Sequence, residues 1–168
     1  MKVHIIGLPS TGKTVLADAL AAHLGVPPHH LDAAAFVDDR WTPRPLAERE
    51  ASVAGFSQEP RFVMEGSFLG WTAPLLAEAD HIIWLDPPLR LLVWRHIRRH
   101  GLANPWWTVG LIRFQVLSYL RPRGSGPAKD DPNQTRSGMA EELRPWAHKV
   151  LRIRRAVSAD EVIAALNL

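Results

Sequence analysis

The sequence predicts an α/β protein, a three-layer sandwich in which about five parallel strands lie between helices on both faces. Two observations support this fold class. Short apolar runs alternate along the chain with stretches whose apolar residues recur at helical spacing. The chain has 168 residues, 46% of them hydrophobic, which is enough for one domain with a sizeable core and too few for two. We therefore expect a single domain over residues 1–168.

Each element follows from a local pattern. Prolines restrict the second strand to the last residues of the segment 26–31, and Ser158 with Glu161 forms a capping box that begins the last helix. Pro145 lies inside a helical pattern or breaks it. The segment 121–138 is rich in Pro, Gly, Asp and Ser, which predicts a mobile loop. The predicted strands are 3–6, 26–31, 61–65, 81–86 and 149–154, and the predicted helices are 15–24, 45–56, 72–79, 89–100, 106–120, 139–148 and 158–166.

The composition narrows the possible functions. The chain has no cysteine, which excludes disulfides and thiolate metal sites and is consistent with a reducing compartment. No secretory signal opens the chain, and no apolar run reaches the length of a membrane span. We therefore expect a cytoplasmic protein that has no membrane as a partner. Arginines concentrate in residues 90–99, 121–123 and 152–155. Such clusters suit the phosphates of a nucleotide or a nucleic acid, although each also fits a solvated basic face.

The segment between the first strand and the first helix matches the P-loop pattern G-x-x-x-x-G-K-[ST] over residues 7–14. Its glycines let backbone N–H groups face phosphate oxygens, and the following helix adds its positive N-terminal end. Lys13 reaches the β- and γ-phosphates of ATP, and the Thr14 hydroxyl is a ligand for Mg²⁺. An ordinary glycine-rich turn is the alternative. The predicted nucleotide-binding residues are Gly7, Pro9, Ser10, Thr11, Gly12, Lys13, Thr14 and Val15.

Three acidic residues lie at predicted C-terminal ends of strands, where open α/β sheets bind their ligands. They are Asp32, Glu65 and Asp86. A P-loop protein commonly places a carboxylate for the metal at such a position. At least one of the three should instead cap the following turn, and Asp86, which directly precedes two prolines, is assigned that role.

These motifs resemble those of the nucleoside-monophosphate-kinase-like P-loop proteins. The P-loop, "LD" at 31–32, "RFVMEGSF" and "IIWLDPPLRLLVWRHIRR" are most similar to the adenylate-kinase-related proteins called topology modulation proteins. The resemblance covers residues 1–99 and, weakly, the last strand and helix. It implies a P-loop NTPase fold, use of Mg-ATP, an acceptor-binding segment over 33–60 and a lid-like segment over 101–138.

The resemblance also assigns roles to individual residues. It implies that Glu65 holds Mg²⁺ through water and that Arg95, Arg98 and Arg99 contact the transferring phosphates; their spacing allows one shared helix face. Ser10 stands where adenylate kinases usually have glycine, and Glu65 where aspartate is common. A Trp-rich apolar helix replaces the usual Arg-plus-acid pattern of the lid.

The predicted acceptor segment contains several charged residues. Asp32 is a candidate general base toward a hydroxyl or an ordinary loop acid, and both interpretations remain open. Arg40 and Arg44 are candidates to clamp a phosphate or carboxylate of the acceptor. For Asp38 and Asp39 the sequence favours ordinary turn acids.

Two further patterns have competing interpretations. His96 and His100 have a metal-ligand spacing, but neighbouring arginines disfavour a bound cation. The aromatic residues of 106–120 suit base stacking, yet packing on the core or between the subunits of a homodimer is favoured. These aromatic residues are Trp106, Trp107, Phe114 and Tyr119.

The sequence as a whole predicts a kinase that moves the γ-phosphoryl group of Mg-ATP to an unidentified small acceptor. Lys13, Arg95, Arg99 and Asp32 are the candidate catalytic residues, and Arg121, Arg123 and Arg136 are candidates to close over the site. One alternative is a nucleic-acid-associated P-loop protein that binds through Arg121, Arg123, Arg152, Arg154 and Arg155. The other is an ATPase or switch that has no acceptor.

Overall fold

Strands and helices alternate along the chain in a computed structural model that describes residues 1–38, 41–100, 105–128 and 131–168. The strands are Lys2–Gly7 (β1), Pro28–His30 (β2), Phe62–Gly66 (β3), His81–Leu85 (β4) and Val150–Ile153 (β5). The helices are Lys13–Leu24 (α1), Leu31–Ala35 (α2), Leu46–Ser57 (α3), Ala73–Glu78 (α4), Leu89–His100 (α5), Pro105–Leu120 (α6), Arg136–Glu142 (α7) and Ala159–Leu166 (α8), with a 3-10 helix at Arg144–Lys149.

The five strands form one parallel sheet in the order β2-β3-β1-β4-β5. β1 lies in the centre, and its Ile5 pairs with Glu65 on one side and Ile83 on the other. All carboxyl ends therefore meet at one edge of the sheet, which is where ligands bind in this architecture.

Both faces of the sheet are buried. Val3 and Ile5 of β1 pack with Leu20 of α1 on one face. Ile6 packs on the other face with Leu76 of α4 and with α7. Alternate residues of one strand thus enter two separate cores, which explains the continuous apolar runs of this sequence. The predicted three-layer α/β fold is confirmed.

Two predicted boundaries are wrong for local reasons. The second strand ends at His30, because Leu31 already begins α2 and is fully buried beneath it. The predicted mobile loop 121–138 is too long, because α7 already begins at Arg136. Thr135 caps its first turn: the Thr135 hydroxyl accepts a hydrogen bond from the Gly138 N–H at 3.0 Å. α7 in turn ends before Pro145, which lies in the first turn of the 3-10 helix.

The helix α6 buries polar side chains and exposes several apolar ones. The residues it buries most deeply are Thr108, Gln115 and Ser118, whereas Trp106 is 86% exposed and Leu120 68% exposed. Packing on the core is therefore wrong as an account of Trp106, and a homodimer contact stays a prediction. Of the helices in the described ranges, none has both the length and the apolar character needed to cross a bilayer.

Candidate active site

The P-loop backbone turns sharply at the end of β1. Gly12 has φ of +99° and Ser10 has φ of +59°, so two left-handed residues reverse the chain just before α1. Gly7 is required for a different reason, since a Cβ there would lie 2.6 Å from the Leu85 carbonyl oxygen of β4. The loop is thus held against the centre of the sheet with its amides at the start of a helix, an arrangement that suits an anion.

Lys13 lies inside this loop and is 9% exposed. Its Nζ donates to the Leu8 carbonyl oxygen at 3.2 Å. Burial lowers the pKa of Lys13, and the nearby negative charges of Glu65 and Asp32 oppose that shift. Among the described residues, the ammonium group thus has one hydrogen-bond acceptor, the neutral Leu8 carbonyl oxygen. A phosphate oxygen is suited to take the place of that carbonyl oxygen.

The helix α5 is attached to the outside of the P-loop. The Arg95 guanidinium donates to the carbonyl oxygens of Ser10 at 3.1 Å and Thr11 at 2.7 Å. Arg99, one turn later, lines a cavity that lies over the P-loop. Arg98 lies elsewhere, with its guanidinium 5.3 Å from the centre of the Trp94 ring.

A cavity of about 500 Å³ lies over the P-loop. Among the predicted residues, Ser10 to Val15, Arg95 and Arg99 line it, whereas Gly7 and Pro9 do not. Its opposite wall is the loop 155–159 between β5 and α8, which our sequence analysis missed. That loop follows the carboxyl end of the last strand, so the same strand-end rule that selected Glu65 could have found it.

The pair formed by Thr14 and Glu65 fits a magnesium site. Glu65 is 4% exposed, and its Oε1 accepts a hydrogen bond from the Thr14 hydroxyl at 3.1 Å. The same oxygen lies 3.1 Å from Nδ1 of His30. A hydroxyl and a carboxylate beside a phosphate-binding loop are the hard oxygen donors that Mg²⁺ prefers.

Asp86 has a different environment. Its carboxylate is buried and pairs with Arg136, through contacts of 2.6 and 2.9 Å, and with Arg152. It therefore joins β4 to α7 and β5 instead of capping the following turn. Arg136 is held in this ion pair and does not line the P-loop cavity.

The other two arginines considered for closure also have local contacts. Arg121 donates to the Ser125 carbonyl oxygen, and Arg123 lies 3.5 Å from both Glu141 and Glu142. Arg121 thus contacts its own loop, and Arg123 contacts the end of α7.

A second cavity, of about 410 Å³, adjoins Asp32. Asp32 lies at its lip; partial burial and the negative charge of Glu65 raise the pKa of Asp32, while Lys13 and His30 oppose the shift. Arg44 lines the same cavity, as do Phe36 and Trp41, which the sequence analysis did not single out. The two aromatic residues gave no separate signal because they belong to no motif in the sequence. Asp39 and Arg40 lie outside the described residues.

His96 is buried between the P-loop and α6. Its Nδ1 lies 3.4 Å from the Ser10 hydroxyl, and its Nε2 lies 3.4 Å from Oε1 of Gln115. The contacts described for His96 thus connect it to polar side chains of two neighbouring segments.

The same fold occurs in several solved kinases. A gluconokinase from Sinorhizobium meliloti 1021 aligns with 97% of this chain and 87% of its own, with a TM-score of 0.60 and 16% identity. A shikimate kinase from Acinetobacter baumannii, in complex with shikimate, aligns with 99% of this chain and 90% of its own (TM-score 0.58, 13% identity). A shikimate kinase from Bacteroides thetaiotaomicron aligns with 100% of this chain and 99% of its own, with a TM-score of 0.53 and 13% identity.

At these identities the likeness defines the fold, which is that of the P-loop kinases. No known family model matches the sequence, and no curated protein matches it.

Proposed function

We propose that the protein is a kinase that transfers the γ-phosphoryl group of ATP to a hydroxyl group of a small acceptor. The observation that carries this proposal is the position of Asp32. It lines the second cavity, yet it is close enough to Lys13 and Glu65 for their charges to influence its pKa. Asp32 thus lines one cavity and is coupled by charge to Lys13, which lines the cavity over the P-loop. The fold shared with gluconokinase and shikimate kinase supports the same class of reaction.

The chain supplies positioning and charge for this reaction. The P-loop amides and Lys13 hold the β- and γ-phosphates of the substrate ATP, and Arg95 and Arg99 line the same cavity. The acceptor oxygen attacks the γ-phosphorus, the bond to ADP breaks, and Asp32 accepts the hydroxyl proton. Because the pKa of Asp32 is raised, its carboxylate is a stronger base than an ordinary aspartate.

Thr14 and Glu65 are the residues that would hold Mg²⁺, with Glu65 acting through water as the family resemblance implies. When bound, Mg²⁺ neutralises negative charge on the phosphate oxygens. The buried carboxylate and the adjacent hydroxyl are already joined by a hydrogen bond of 3.1 Å, so the donor set is assembled without a large rearrangement.

The contacts of the basic residues argue against the nucleic-acid alternative. Three of the arginines that it requires are engaged with acidic side chains of the same chain. These pairs are Arg123 with Glu141 and Glu142, Arg152 with Asp86, and Arg155 with Glu161. A guanidinium that is already paired gains less from a nucleic-acid phosphate. The acceptor-sized cavity argues likewise against an ATPase that has no acceptor.

The test is ADP production from Mg-ATP across a panel of nucleosides, nucleoside monophosphates and small hydroxy acids. We expect one class to stimulate ADP production, and Lys13→Ala to abolish it without unfolding the protein. Lys149→Ala is the matched control, because Lys149 also donates to backbone carbonyls, those of Ala77 and Ala79, but lies outside the site. Turnover in Lys13→Ala equal to that of the wild type would exclude the P-loop as the catalytic centre.

A further inference from the structure

The second cavity has an aromatic wall. Phe36 and Trp41 meet edge to face, with ring centres 5.0 Å apart and planes at 88°, and Val37 extends the apolar surface. The cavity volume of about 410 Å³ lies within the range of small-molecule sites. Aromatic faces of this kind favour a ligand that itself carries a ring.

The charges of the described lining residues do not suit a ligand that already carries a phosphate. Among the described residues that line it, Asp32 and Asp38 are acidic and Arg44 is the one cation. The Arg44 Nε donates to the Phe36 carbonyl oxygen at 3.0 Å, and its NH1 lies 3.6 Å from the Glu48 carboxylate. A phosphomonoester carries a charge of about −1.5 to −2 at neutral pH, so it would meet two carboxylates and one guanidinium that is already shared.

Trp41 is held in a costly backbone conformation. Its φ is +62°, in the left-handed region that bulky residues avoid. The turn is closed around it by the Trp41 N–H, which donates to the Asp38 carbonyl oxygen at 3.2 Å, and by the Val37 N–H, which donates to the Thr42 carbonyl oxygen at 2.9 Å. Asn or Gly would adopt this conformation at lower cost, so the indole ring itself is the feature that favours tryptophan here.

We infer that the acceptor is an uncharged, ring-bearing alcohol of the nucleoside class, and not a nucleoside monophosphate. This inference rests on the proposed kinase function. The ring lies against Trp41 and Phe36, and a hydroxyl group faces Asp32. The hydroxyl oxygen forms a bond to the γ-phosphorus, the bond from phosphorus to the ADP oxygen breaks, and the proton passes to Asp32. The products are ADP and the phosphate monoester of the acceptor.

The test compares each of four nucleosides with its own 5′-monophosphate, with the full chain and saturating Mg-ATP. The two members of a pair have the same ring and differ by one phosphate group. We expect kcat/KM for one or more nucleosides to exceed that of the matched monophosphate by about tenfold or more. Faster turnover of the monophosphates, or of hydroxy acids that lack a ring, would overturn the acceptor class but leave the kinase function intact. ADP production that no acceptor stimulates would instead contradict the kinase function and, with it, this inference.

Variants of Trp41 test the wall directly. Trp41→Asn relieves the backbone strain, so the melting temperature should hold or rise while the KM for the nucleoside increases by about tenfold. Trp41→Phe keeps a ring and should have a smaller effect. Trp94→Ala is the matched control, because Trp94 is 52% exposed against 53% for Trp41 and lines neither cavity. A Trp41→Asn protein with unchanged acceptor KM would contradict the inference.

Discussion

Glu65 and Asp86 are two buried carboxylates at the ends of the two strands that flank β1, and their partners differ. Glu65 meets a hydroxyl and an imidazole, whereas Asp86 meets two guanidinium groups. Glu65 is near one positive charge, that of Lys13, whereas Asp86 is already paired with two guanidinium groups. Charge balance thus favours Glu65 over Asp86 as the metal-binding carboxylate of our proposal.

The variant Glu65→Gln tests this assignment at constant size. We expect kcat to fall by about tenfold or more with little change in ATP affinity, because the metal-binding charge is lost and the P-loop remains. The measurement is steady-state kinetics together with nucleotide binding in the same buffer. Equal loss of kcat and ATP affinity would place Glu65 in nucleotide binding instead.

For Asp86→Asn we expect a loss of stability instead of a loss of turnover. It leaves two arginines without their carboxylate, so the free energy of unfolding should fall by about 3 kcal/mol, at the low end for a broken buried pair because Arg152 is partly exposed. Urea unfolding of both variants makes the comparison. If Asp86→Asn retained stability but lost turnover, the metal role would move to Asp86.

Much of the candidate site could be predicted from the sequence, because the P-loop is one continuous segment. Lys13, Thr14 and the strand-end carboxylates follow from local pattern and position alone. The partners of Asp86 could not be predicted, since Arg136 and Arg152 are distant in the chain and meet it only through the fold. The Trp41 wall was missed for the same reason: its meaning depends on the cavity beside it.

At the scale of single elements, β1 contains an unusual core residue. His4 is fully buried, and neither ring nitrogen has a hydrogen-bond partner among the described residues. Burial lowers the pKa of His4 from 6.5 to about 4. Between these values the unfolded chain binds a proton that the folded protein does not, so stability is complete above about pH 6.5 and is lost as the pH falls.

We therefore predict that His4 makes the stability of the folded protein sensitive to acid. Wild-type stability should fall by about 2 kcal/mol between about pH 7 and pH 4.5 through His4 alone, and His4→Leu should remove that part of the pH dependence. Urea unfolding at the two pH values measures it, with the exposed His148→Leu as control. An identical pH dependence in His4→Leu and the wild type would rule out His4 as the cause.

The helix α6 allows a second test at this scale. Ser118 is fully buried and its hydroxyl has no partner among the described residues, so Ser118→Ala should raise the free energy of unfolding by about 1 kcal/mol. Trp106→Gln should leave it unchanged, because Trp106 is 86% exposed. Thermal unfolding of the two variants measures both changes in stability. Strong destabilisation by Trp106→Gln would show that the exposed face contributes to folding.

Element types were easier to predict than their packing. The alternation of strands and helices follows from apolar periodicity, which is a local property. The apolar sequence of α6 predicted packing on the core or between two subunits, but the residues of α6 that the structure buries most deeply are the polar Thr108, Gln115 and Ser118. The direction that a helix faces depends on its neighbours, and periodicity fails when nearly every position is apolar.

At the scale of the whole molecule, the sheet brings two cavities to one edge. The strand order places the P-loop between β3 and β4, and the loops after β2 and β5 provide the outer walls. Asp32 lines one of these cavities and is influenced by the charge of Lys13, which lines the other. This arrangement supports our proposal of phosphoryl transfer between two bound molecules, as opposed to hydrolysis of one.

The most direct test follows the γ-phosphoryl group itself, using ATP labelled at that position and a nucleoside acceptor. Our account predicts that most of the label appears in the phosphate monoester of the acceptor, and that Lys13→Ala yields neither this product nor inorganic phosphate above background. Label recovered only as inorganic phosphate, with or without any acceptor, would contradict the kinase and identify an ATPase.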